Sequence, residues 1–559
     1  MKKKEVSIFP DEIFMDSKNT PSFNMGQFEG QIERPINRGV FVGVSLAFVL
    51  ILIIFGARLF SLQIVQGEYF KQRSEKNSLR AEIIFPDRGV VYDRNGVPLI
   101  WNDSGKRIYT DLPGLSHVLG YVGLPNDKEI TRPDIVSGEM KIGKNGIEQS
   151  YSSILSGISG NKLTERDSMG AVVSESSSNQ PKHGKKLNLT IDAELQSQFY
   201  KVIKSVIDER GFTGGAGIIM NVQNGELLSL VSAPEYDSEI ISSGEPTDEI
   251  KRFLTDKRKF FLNRAISGVY EPGSTIKPLI AIAALNEKVI TPEKGIFSSG
   301  SISIPNPFRL GEKTIFKDWK AHGLVDIKHA LSVSSNVYFY EIGGGFGDQP
   351  GLGIKRIKDY GLRFGFHEET GIDIPGESVG VIPSPEEKAK SEPNDPIWRI
   401  GDTYHSSIGQ GLFRVTPIRM VVYASAIANY GRLLKPHVFL SSEEEGPAQD
   451  QKYFVRDVEI PKNIFNTIHD GMRLGVLEGT ASALNLPGIE IAAKTGTAQL
   501  GVSKANVNSW IIGFFPYKEP KYAFAIVLEK GSSNNLVGAL FAARQIMDWM
   551  SIYRPEYLK

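Results

Sequence analysis

The chain has 559 residues, in which 64 lysines and arginines balance 64 aspartates and glutamates. This length exceeds one typical domain, so two or three folded units are expected, and the even charge balance gives no sign of a nucleic-acid partner. Cysteine is absent, which excludes disulfides, cysteine-ligated zinc and thiol catalysis, and the eight histidines show no metal-binding spacing. We therefore predict neither a metal nor a cofactor.

The first predicted element is a membrane-spanning helix over residues 39–61, preceded by a tail over residues 1–38. Gly39 to Ala57 holds no charged residue over 19 positions. At about 1.5 Å per residue, this segment just spans a hydrocarbon core of roughly 30 Å. A buried core helix and a cleaved signal peptide are the alternatives, and no small-residue cleavage site supports the second. Positive residues flank both ends, so the positive-inside rule gives only mild guidance on orientation.

Two further segments follow the span. Residues 62–180 mix short apolar strands with glycine turns and carry no recognisable chemistry, so we predict a separate non-catalytic domain there. A new unit is predicted from residue 181 onward. Asp192 stands where it would cap a helix whose apolar residues recur every three or four positions. Next, two strand-like runs flank Asn224 and Gly225, which is a strong hairpin signal.

The most informative spacing in the chain is that of Ser274 and Lys277, which is followed directly by Pro278. Proline is tolerated in a helix only near the first turn, so Ser274 is predicted to lie at a helix N-terminus. There, backbone N–H groups and the helix dipole can stabilise an anion that forms on the group attacked by the serine. A lysine at this distance can serve as the base for the serine hydroxyl. The spacing therefore predicts a serine acyl-transferase.

A second hydroxyl and an amide follow at Ser334 and Asn336, inside a helix-like stretch over residues 329–340. The hydroxyl can relay a proton, and the amide can hold a substrate carbonyl. Standing alone, such residues usually cap a helix or face solvent.

A third motif begins at Lys494, which ends the strand-like run 489–493. A lysine followed by the hydroxyls of Thr495 and Thr497 suits the binding of a carboxylate, and Gly496 would let a ligand approach the backbone closely. Cation-pumping ATPases carry an aspartate before the same letters, but this chain has Ala493 there, so that alternative is excluded. Two further strands are predicted, over residues 509–515 and 522–529.

The three motifs in this order resemble those of the penicillin-binding proteins and serine β-lactamases. Further segments look like signatures of the class B penicillin-binding proteins, so that the likeness covers roughly residues 40 to 559; these segments are 87–96, 263–265, 270–274, 370–377, 407–411 and 416–417. One departure is Ala493, where the family generally has glycine, and its methyl group is expected to narrow the contact between strand and site. Residues 316–319, with His322, favour the elongation branch over the septal branch.

The resemblance implies an α+β fold. It consists of an N-terminal transmembrane helix, an elongated mixed pedestal domain over residues 62–180, and a transpeptidase domain over residues 181–559. In the transpeptidase domain, an antiparallel sheet is flanked by helices and accompanied by a helical lobe.

The resemblance also implies a peptidoglycan D,D-transpeptidase that is inhibited by β-lactams and has a possible D,D-carboxypeptidase side activity. Ser274 would be the nucleophile, Lys277 its neutral base, Ser334 the proton relay and Asn336 the holder of the peptide. Lys494, Thr495, Gly496 and Thr497 would bind the substrate, and the N–H groups of Ser274 and Thr497 would form the oxyanion hole. For Lys277 to be neutral near pH 7, its pKa must fall by several units from the usual value of about 10.4. Burial and a nearby cation such as Lys494 can lower it together.

By the same resemblance, the protein crosses the cell membrane once, with a cytoplasmic N-terminus and an extracytoplasmic catalytic domain. The implied partners are peptidoglycan stem peptides, with a D-Ala-D-Ala donor and an amine acceptor, together with β-lactams and a polytopic glycosyltransferase of the rod-shape system. A septal transpeptidase, a β-lactam-sensing receptor and a non-catalytic cell-wall scaffold remain as alternatives. The single predicted span argues against the receptor, and the intact motifs argue against the scaffold.

Overall fold

The computed structural model describes residues 37–559 except 133–134, 136, 167–171, 307–308, 310, 444–445, 447–449, 502 and 536–537. The predicted tail therefore lies almost wholly outside the described residues. The described chain forms two compact units, the first holding the residues up to Glu82 with 163–176, and the second holding 83–162 with 177–559. The predicted domain boundaries at residues 62 and 180 stay predictions.

The first unit contains the apolar N-terminal helix Arg38–Phe60, which we call the anchor helix. The side chain of Asn37 caps it by accepting a hydrogen bond from the backbone N–H of Gly39. A π-helical turn, Ser61–Val65, continues it, and the helix Gly67–Ser78 follows. Within the described residues, the anchor helix with its π-helical extension is the one helix long and apolar enough to cross a membrane. None of the side chains of the anchor helix is buried.

In the second unit, a small five-stranded sheet joins distant parts of the chain. Its order is Phe439–Ser442, Leu187–Leu189, Val91–Tyr92, Pro98–Asp103 and Lys106–Tyr109. The second and third of these strands are parallel, and the other neighbours are antiparallel. Residues from the predicted pedestal and from the far end of the predicted transpeptidase domain therefore share one sheet.

Close to this sheet, Glu148 is fully buried between two arginines. Its carboxylate oxygens lie 2.7 Å from Arg88 and 2.7 Å from Arg107. Burial alone would raise the pKa of Glu148, but the charges and hydrogen bonds of the two arginines hold that pKa below its usual value. Glu148 and the two arginines thus form a buried ion-pair cluster within the second unit, the Glu148 cluster.

The centre of the second unit is an antiparallel five-stranded sheet, the central sheet. Its order is Leu227–Ala233, Gly214–Asn221, Tyr522–Ser532, Asn506–Phe515 and Ala492–Leu500. The first two strands form the predicted hairpin, and the third and fourth confirm the two predicted C-terminal strands. Strands from the start and the end of the unit therefore pair side by side.

Helices cover both faces of the central sheet. Ala193–Arg210 and Ala539–Tyr553 pack on one face, and Pro417–Ala428 packs on the other. As predicted, Asp192 caps the first of these helices by accepting a hydrogen bond from a backbone N–H three residues on. Because both faces are covered, the strands Leu227–Ala233, Gly214–Asn221 and Tyr522–Ser532 are buried along most of their length rather than at alternate residues.

The rest of the second unit is mainly helical. Seven of its helices follow residue 276: Lys277–Asn286, Ile327–Ser332, Asn336–Gly344, Gly353–Arg363, Pro385–Ser391, Ile400–Ser407 and Lys462–Leu477. Earlier in the chain are the helices Ser116–Leu119, Gly146–Ser150, Ser152–Leu155, Ser238–Ser243, Thr247–Thr255 and Arg264–Ser267. Two-stranded sheets pair Val122–Gly123 with Ile142–Gly143, Ile296–Ser298 with Gly323–Val325, Ser301–Pro305 with Lys313–Lys317, and Arg432–Leu434 with Phe454–Asp457. The three-stranded sheet Leu79–Ile84, Gly160–Arg166, Val172–Asn179 belongs mainly to the first unit. The predicted α+β class is confirmed.

Candidate active site

Ser274 lies in a turn that opens the buried helix Lys277–Asn286, which we call the serine helix. Residues Gly273–Ile276 form one 3₁₀ turn, and Pro278 stands in the first turn of the α-helix that follows. The predicted helix start is confirmed, although the α-helix itself begins three residues after Ser274. Such 3₁₀ turns are frequent at helix N-termini. The serine is half-buried, whereas the helix behind it is buried along its length.

The side chain of Lys277 is completely buried. Its Nζ donates hydrogen bonds to the backbone oxygen of Ser334 at 2.7 Å and to Oδ1 of Asn336 at 2.8 Å, and it lies 3.3 Å from Ser334 Oγ. Burial lowers the pKa of Lys277 to about 7, and the carboxylate of Asp318 acts in the opposite direction. A large fraction of this amine is therefore neutral near pH 7, as a general base must be.

The single helix predicted across residues 329–340 is wrong, because the chain breaks at Ser334. Ile327–Ser332 ends before the break, and Asn336–Gly344 begins after it, with Ser335 as its N-cap. Ser334 has a φ of 58°, a left-handed conformation that costs a residue with a Cβ about 1–2 kcal/mol. Both its carbonyl and its hydroxyl reach Lys277 from this break. Helical periodicity in the sequence continues across the break and so concealed it.

The strand predicted to stop before Lys494 instead runs through it. Ala492–Leu500 is the edge strand of the central sheet. Lys494 Nζ donates to Ser334 Oγ at 2.8 Å and to the backbone oxygen of Thr495 at 3.0 Å. The hydroxyl of Ser334 therefore lies between the amines of Lys277 and Lys494.

The two lysines disfavour each other's charged form, because repulsion between two ammonium groups is mutual. Burial, followed by the positive charge of Lys277, lowers the pKa of Lys494 well below its usual value. Burial is the main cause of the low pKa of Lys277. Since two ammonium groups around one hydroxyl repel, the pair favours a single positive charge near neutral pH.

Gly496 packs against the 3₁₀ turn Gly273–Ile276, which we call the serine turn. The neighbours of Gly496 are protein atoms rather than the open space predicted for a ligand. A Cβ at Gly496 would lie 2.8 Å from Cγ2 of Thr275 and 2.9 Å from the backbone oxygen of Pro272. The backbone oxygen cannot move aside cheaply. Glycine is therefore needed here for the edge strand to approach the nucleophile, and a direct part in substrate binding stays a prediction.

The neighbouring strand residues differ in their surroundings. Thr495 is half-buried and donates from Oγ1 to Oγ1 of Thr480 at 2.6 Å, whereas Thr497 is exposed. Ala493 packs into the hydrophobic cluster on the sheet face opposite Lys494, since successive side chains of a strand point to opposite faces. Its methyl group therefore does not narrow the site, contrary to the expectation from the sequence.

The structure brings four predicted residues into one hydrogen-bond network: Lys277, Ser334, Asn336 and Lys494. Ser274 opens the helix that carries Lys277, but among the described residues the Lys277 amine is bonded to Ser334 and Asn336 and not to Ser274. Catalytic hydrogen bonds often tighten only when substrate is bound.

Sequence reasoning did not assign a role to Asp318, whose buried carboxylate accepts a hydrogen bond from Ser335 Oγ at 2.7 Å. In the sequence, Asp318 is a single acidic residue, and it entered the analysis only as part of the segment 316–319 that resembles the elongation branch of the family. No spacing rule links it to the motif that begins at Ser334.

Comparisons with known proteins match two family models and several relatives. The family model described as "Penicillin binding protein transpeptidase domain" matches residues 215–548, and that described as "Penicillin-binding Protein dimerisation domain" matches residues 101–189. The chain is 28% identical to the peptidoglycan D,D-transpeptidase MrdA of Acinetobacter baumannii, over 94% of this chain and 89% of that protein.

Two solved structures are similar along most of their length. Pseudomonas aeruginosa PBP2, solved in complex with WCK 5153, gives a TM-score of 0.69 at 29% identity and covers 85% of this chain and 98% of that one. Helicobacter pylori PBP2, solved in complex with MreC, gives a TM-score of 0.70 at 25% identity and covers 86% and 99%. The chain therefore belongs to the penicillin-binding protein transpeptidase family, in which it is of class B and resembles penicillin-binding protein 2.

Proposed function

We propose that this protein is a serine-type peptidoglycan D,D-transpeptidase that cross-links stem peptides during cell-wall elongation. The observation that carries the proposal is that the buried amines of Lys277 and Lys494 both lie within hydrogen-bond distance of the Ser334 hydroxyl. Lys277 belongs to the helix that directly follows the turn of Ser274. A neutral amine, a relay hydroxyl and a nucleophile at a helix start are the parts that acyl transfer through a serine ester needs. The similarity to enzymes named peptidoglycan D,D-transpeptidase supports the substrate class.

In the first half-reaction, the neutral amine of Lys277 takes the proton from Ser274 Oγ. The oxygen then attacks the carbonyl carbon between the last two D-alanines of the donor peptide. As the tetrahedral intermediate collapses, the C–N bond breaks, and Ser334 passes a proton to the leaving amine of D-alanine. The network around Ser334 supports this relay, since Lys277 can return the proton through the hydroxyl that it contacts at 3.3 Å.

The substrate is held by groups around this path. In the proposal, Lys494, Thr495 and Thr497 bind the terminal carboxylate, and Asn336 holds the peptide. The positive charge of the lysine pair supports carboxylate binding, because an anion stabilises the ammonium form. The backbone N–H groups of Ser274 and Thr497 are proposed as the oxyanion hole.

In the second half-reaction, an amine of a neighbouring stem peptide attacks the ester carbonyl and gives up a proton to the same relay. The ester C–O bond breaks, and Ser274 recovers its hydroxyl as the new amide forms. If water attacks instead, the product is a shortened peptide, which is the D,D-carboxypeptidase side activity.

The anchor helix supports attachment to the cell membrane. We propose a single pass with a cytoplasmic N-terminus, so that the catalytic unit faces the compartment in which peptidoglycan is assembled. We also propose a polytopic rod-shape glycosyltransferase as the working partner, because a transpeptidase needs newly made glycan. The complex of MreC with the Helicobacter pylori relative supports a place in an elongation assembly.

Labelling with a fluorescent penicillin tests the assignment. The full chain in detergent micelles should take one label, and the Ser274→Ala protein should take none. Retained labelling of that variant would contradict the nucleophile assignment.

Cross-linking of lipid-linked nascent glycan, with and without a rod-shape glycosyltransferase, then tests the elongation role. Cross-linked product should require both proteins. Cross-linking that depends only on a septal glycosyltransferase would contradict the elongation role.

A further inference from the structure

The carboxylate of Asp318 lies against the turn that holds Ser334, and its side chain is completely buried. Its Oδ2 accepts hydrogen bonds from Ser335 Oγ at 2.7 Å and from the backbone N–H of Val337 at 3.0 Å. Ser298 Oγ donates to the same oxygen at 3.2 Å. Hydrogen bonds to an ionised acceptor are among the strongest in proteins. One carboxylate thus ties down the residues that follow Ser334.

The residues on either side of Asp318 bind the same turn. The backbone oxygen of Lys317 accepts from Asn336 Nδ2 at 3.4 Å, and Trp319 Nε1 donates to the backbone oxygen of Val333 at 3.1 Å. Three successive residues, which we call the strap, therefore contact the turn on both sides of Ser334. The amide of Asn336 is consequently held from two directions, by the strap and by Lys277.

Asp318 is also an anion whose charge acts on Lys277. The other basic side chains at the site are Lys494 and His322, and His322 Nε2 lies 3.6 Å from Asp318 Oδ1. Burial lowers the pKa of His322, against the pull of Asp318, so this ring is neutral near pH 7; Lys320 adds a smaller effect in the same direction as burial. Burial opposes ionisation of Asp318, but its hydrogen bonds and the charge of Lys277 keep its pKa below the usual value.

We infer that Asp318 is a positioning residue of the proposed transpeptidase, which fixes Ser334 and Asn336 against the lysines and supplies the counter-charge of Lys277. The inference rests on the proposed function. It separates two effects that can be measured independently. Loss of the hydrogen bonds should displace the turn and slow acylation, whereas loss of the charge should also make Lys277 easier to deprotonate.

The test is the rate of acylation by a fluorescent penicillin, measured on the full chain in detergent micelles across the pH range around 7. In Asp318→Asn, the plateau rate at high pH should fall about tenfold or more, since small displacements of catalytic groups have effects of this size. The midpoint of the acid limb should also move about one unit lower, because a raising influence on the pKa of Lys277 is gone.

Three variants separate the two effects. Asp318→Glu keeps the charge but misplaces the carboxylate, and Ser335→Ala removes a hydrogen bond without changing charge. Both should show a lower plateau with an unchanged midpoint. Asp326→Asn, an aspartate that caps the neighbouring helix Ile327–Ser332, should keep both the plateau and the midpoint.

An Asp318→Asn protein with an unchanged or higher midpoint would overturn the inference, as would a full plateau in Ser335→Ala. If melting curves show that Asp318→Asn does not fold, a full plateau in Asp318→Glu and Ser335→Ala overturns it, and a reduced plateau in both supports it. A failure of the proposed function looks different, because the unsubstituted protein then takes no label at any pH.

Discussion

At the scale of single residues, Ser334 combines an unfavourable backbone conformation with a hydroxyl that two lysines share. Its φ of 58° suits glycine better than serine. The hydroxyl, however, is the acceptor for Lys494 at 2.8 Å and lies 3.3 Å from Lys277. The strain therefore persists because a side chain with a hydroxyl is needed at this point.

Two substitutions of Ser334 separate strain from chemistry. Both Ser334→Ala and Ser334→Gly should lose acylation by a hundredfold or more, on the order of the contribution of a general acid–base group. The glycine variant should be more stable to thermal unfolding than the alanine variant by about 1 kcal/mol, since only alanine keeps the left-handed strain. Equal stability of the two variants would show that the backbone is not strained.

The proposed base, Lys277, can be identified from the pH dependence of the acylation rate of the unsubstituted protein. Since burial lowers the pKa of Lys277 to about 7, the acylation rate should rise through a midpoint near pH 7 as the amine loses its proton. Below that pH, the protonated amine cannot accept the proton of Ser274. Lys277→Ala should lose the rate at every pH. A flat profile through pH 7 would mean that another group is the base.

The identities of Ser274, Lys277, Ser334, Asn336 and Lys494 could be predicted because each stands in a short motif with a fixed internal spacing. The backbone angle of Ser334 could not, since it depends on contacts with a lysine distant in sequence. The same holds for Asp318, which is recognised only by the donors that the fold brings to it.

At the scale of elements, the edge strand Ala492–Leu500 and the serine turn are pressed together at Gly496. This contact holds the strand that carries Lys494 against the turn that carries Ser274. The helix start at Ser274 followed from proline chemistry, but the strand's continuation through Lys494 did not follow from its sequence. Lysine and glycine are weak strand formers, and pairing with the neighbouring strand Asn506–Phe515 overrides that preference.

A methyl group at Gly496 should separate the two elements. In Gly496→Ala, the new Cβ would meet a backbone oxygen at 2.9 Å, so the strand must shift. We expect acylation to fall about a hundredfold, because small displacements at a reacting centre have effects of that order. Penicillin labelling rates measure this loss.

The adjacent position supplies the matched control. Ala493→Gly removes a methyl group from the opposite face of the same strand, so it should lower the free energy of unfolding by about 1 kcal/mol and leave the acylation rate unchanged. If Ala493→Gly slowed acylation as strongly as Gly496→Ala, the contact at the serine turn would not be the cause.

At the scale of the whole molecule, the small five-stranded sheet and the Glu148 cluster make part of the predicted pedestal continuous with the catalytic unit. Tyr151 adds to this by donating its hydroxyl to Asp373 at 2.6 Å. Composition indicated a multi-domain chain, but the sheet shared by residues 91–109, 187–189 and 439–442 could not be predicted. The strands that join its distant parts, Val91–Tyr92, Leu187–Leu189 and Phe439–Ser442, are too short to carry a pattern of their own.

Loss of the Glu148 carboxylate should lower the stability of the fold without changing the acylation reaction. Glu148→Gln leaves two buried arginines without their anion, so the free energy of unfolding should fall by about 3 kcal/mol or more. The acylation rate of the folded protein should stay unchanged. Asp208→Asn, which breaks an exposed pair with Lys204, is the control and should change stability by less than about 0.5 kcal/mol. Equal melting temperatures for the two variants would contradict the role of the cluster.

The pairing of the central sheet has a consequence for the order in which a growing chain becomes active. Gly214 pairs with Glu529, so the sheet cannot close until the C-terminal strands have been synthesised. Ser274 leaves the ribosome before Lys494 and the edge strand. A nascent or interrupted chain that ends before Lys494 carries the serine without its second amine and without a closed sheet. Such a chain lacks parts that the proposed reaction needs, so we expect activity only from the completed chain.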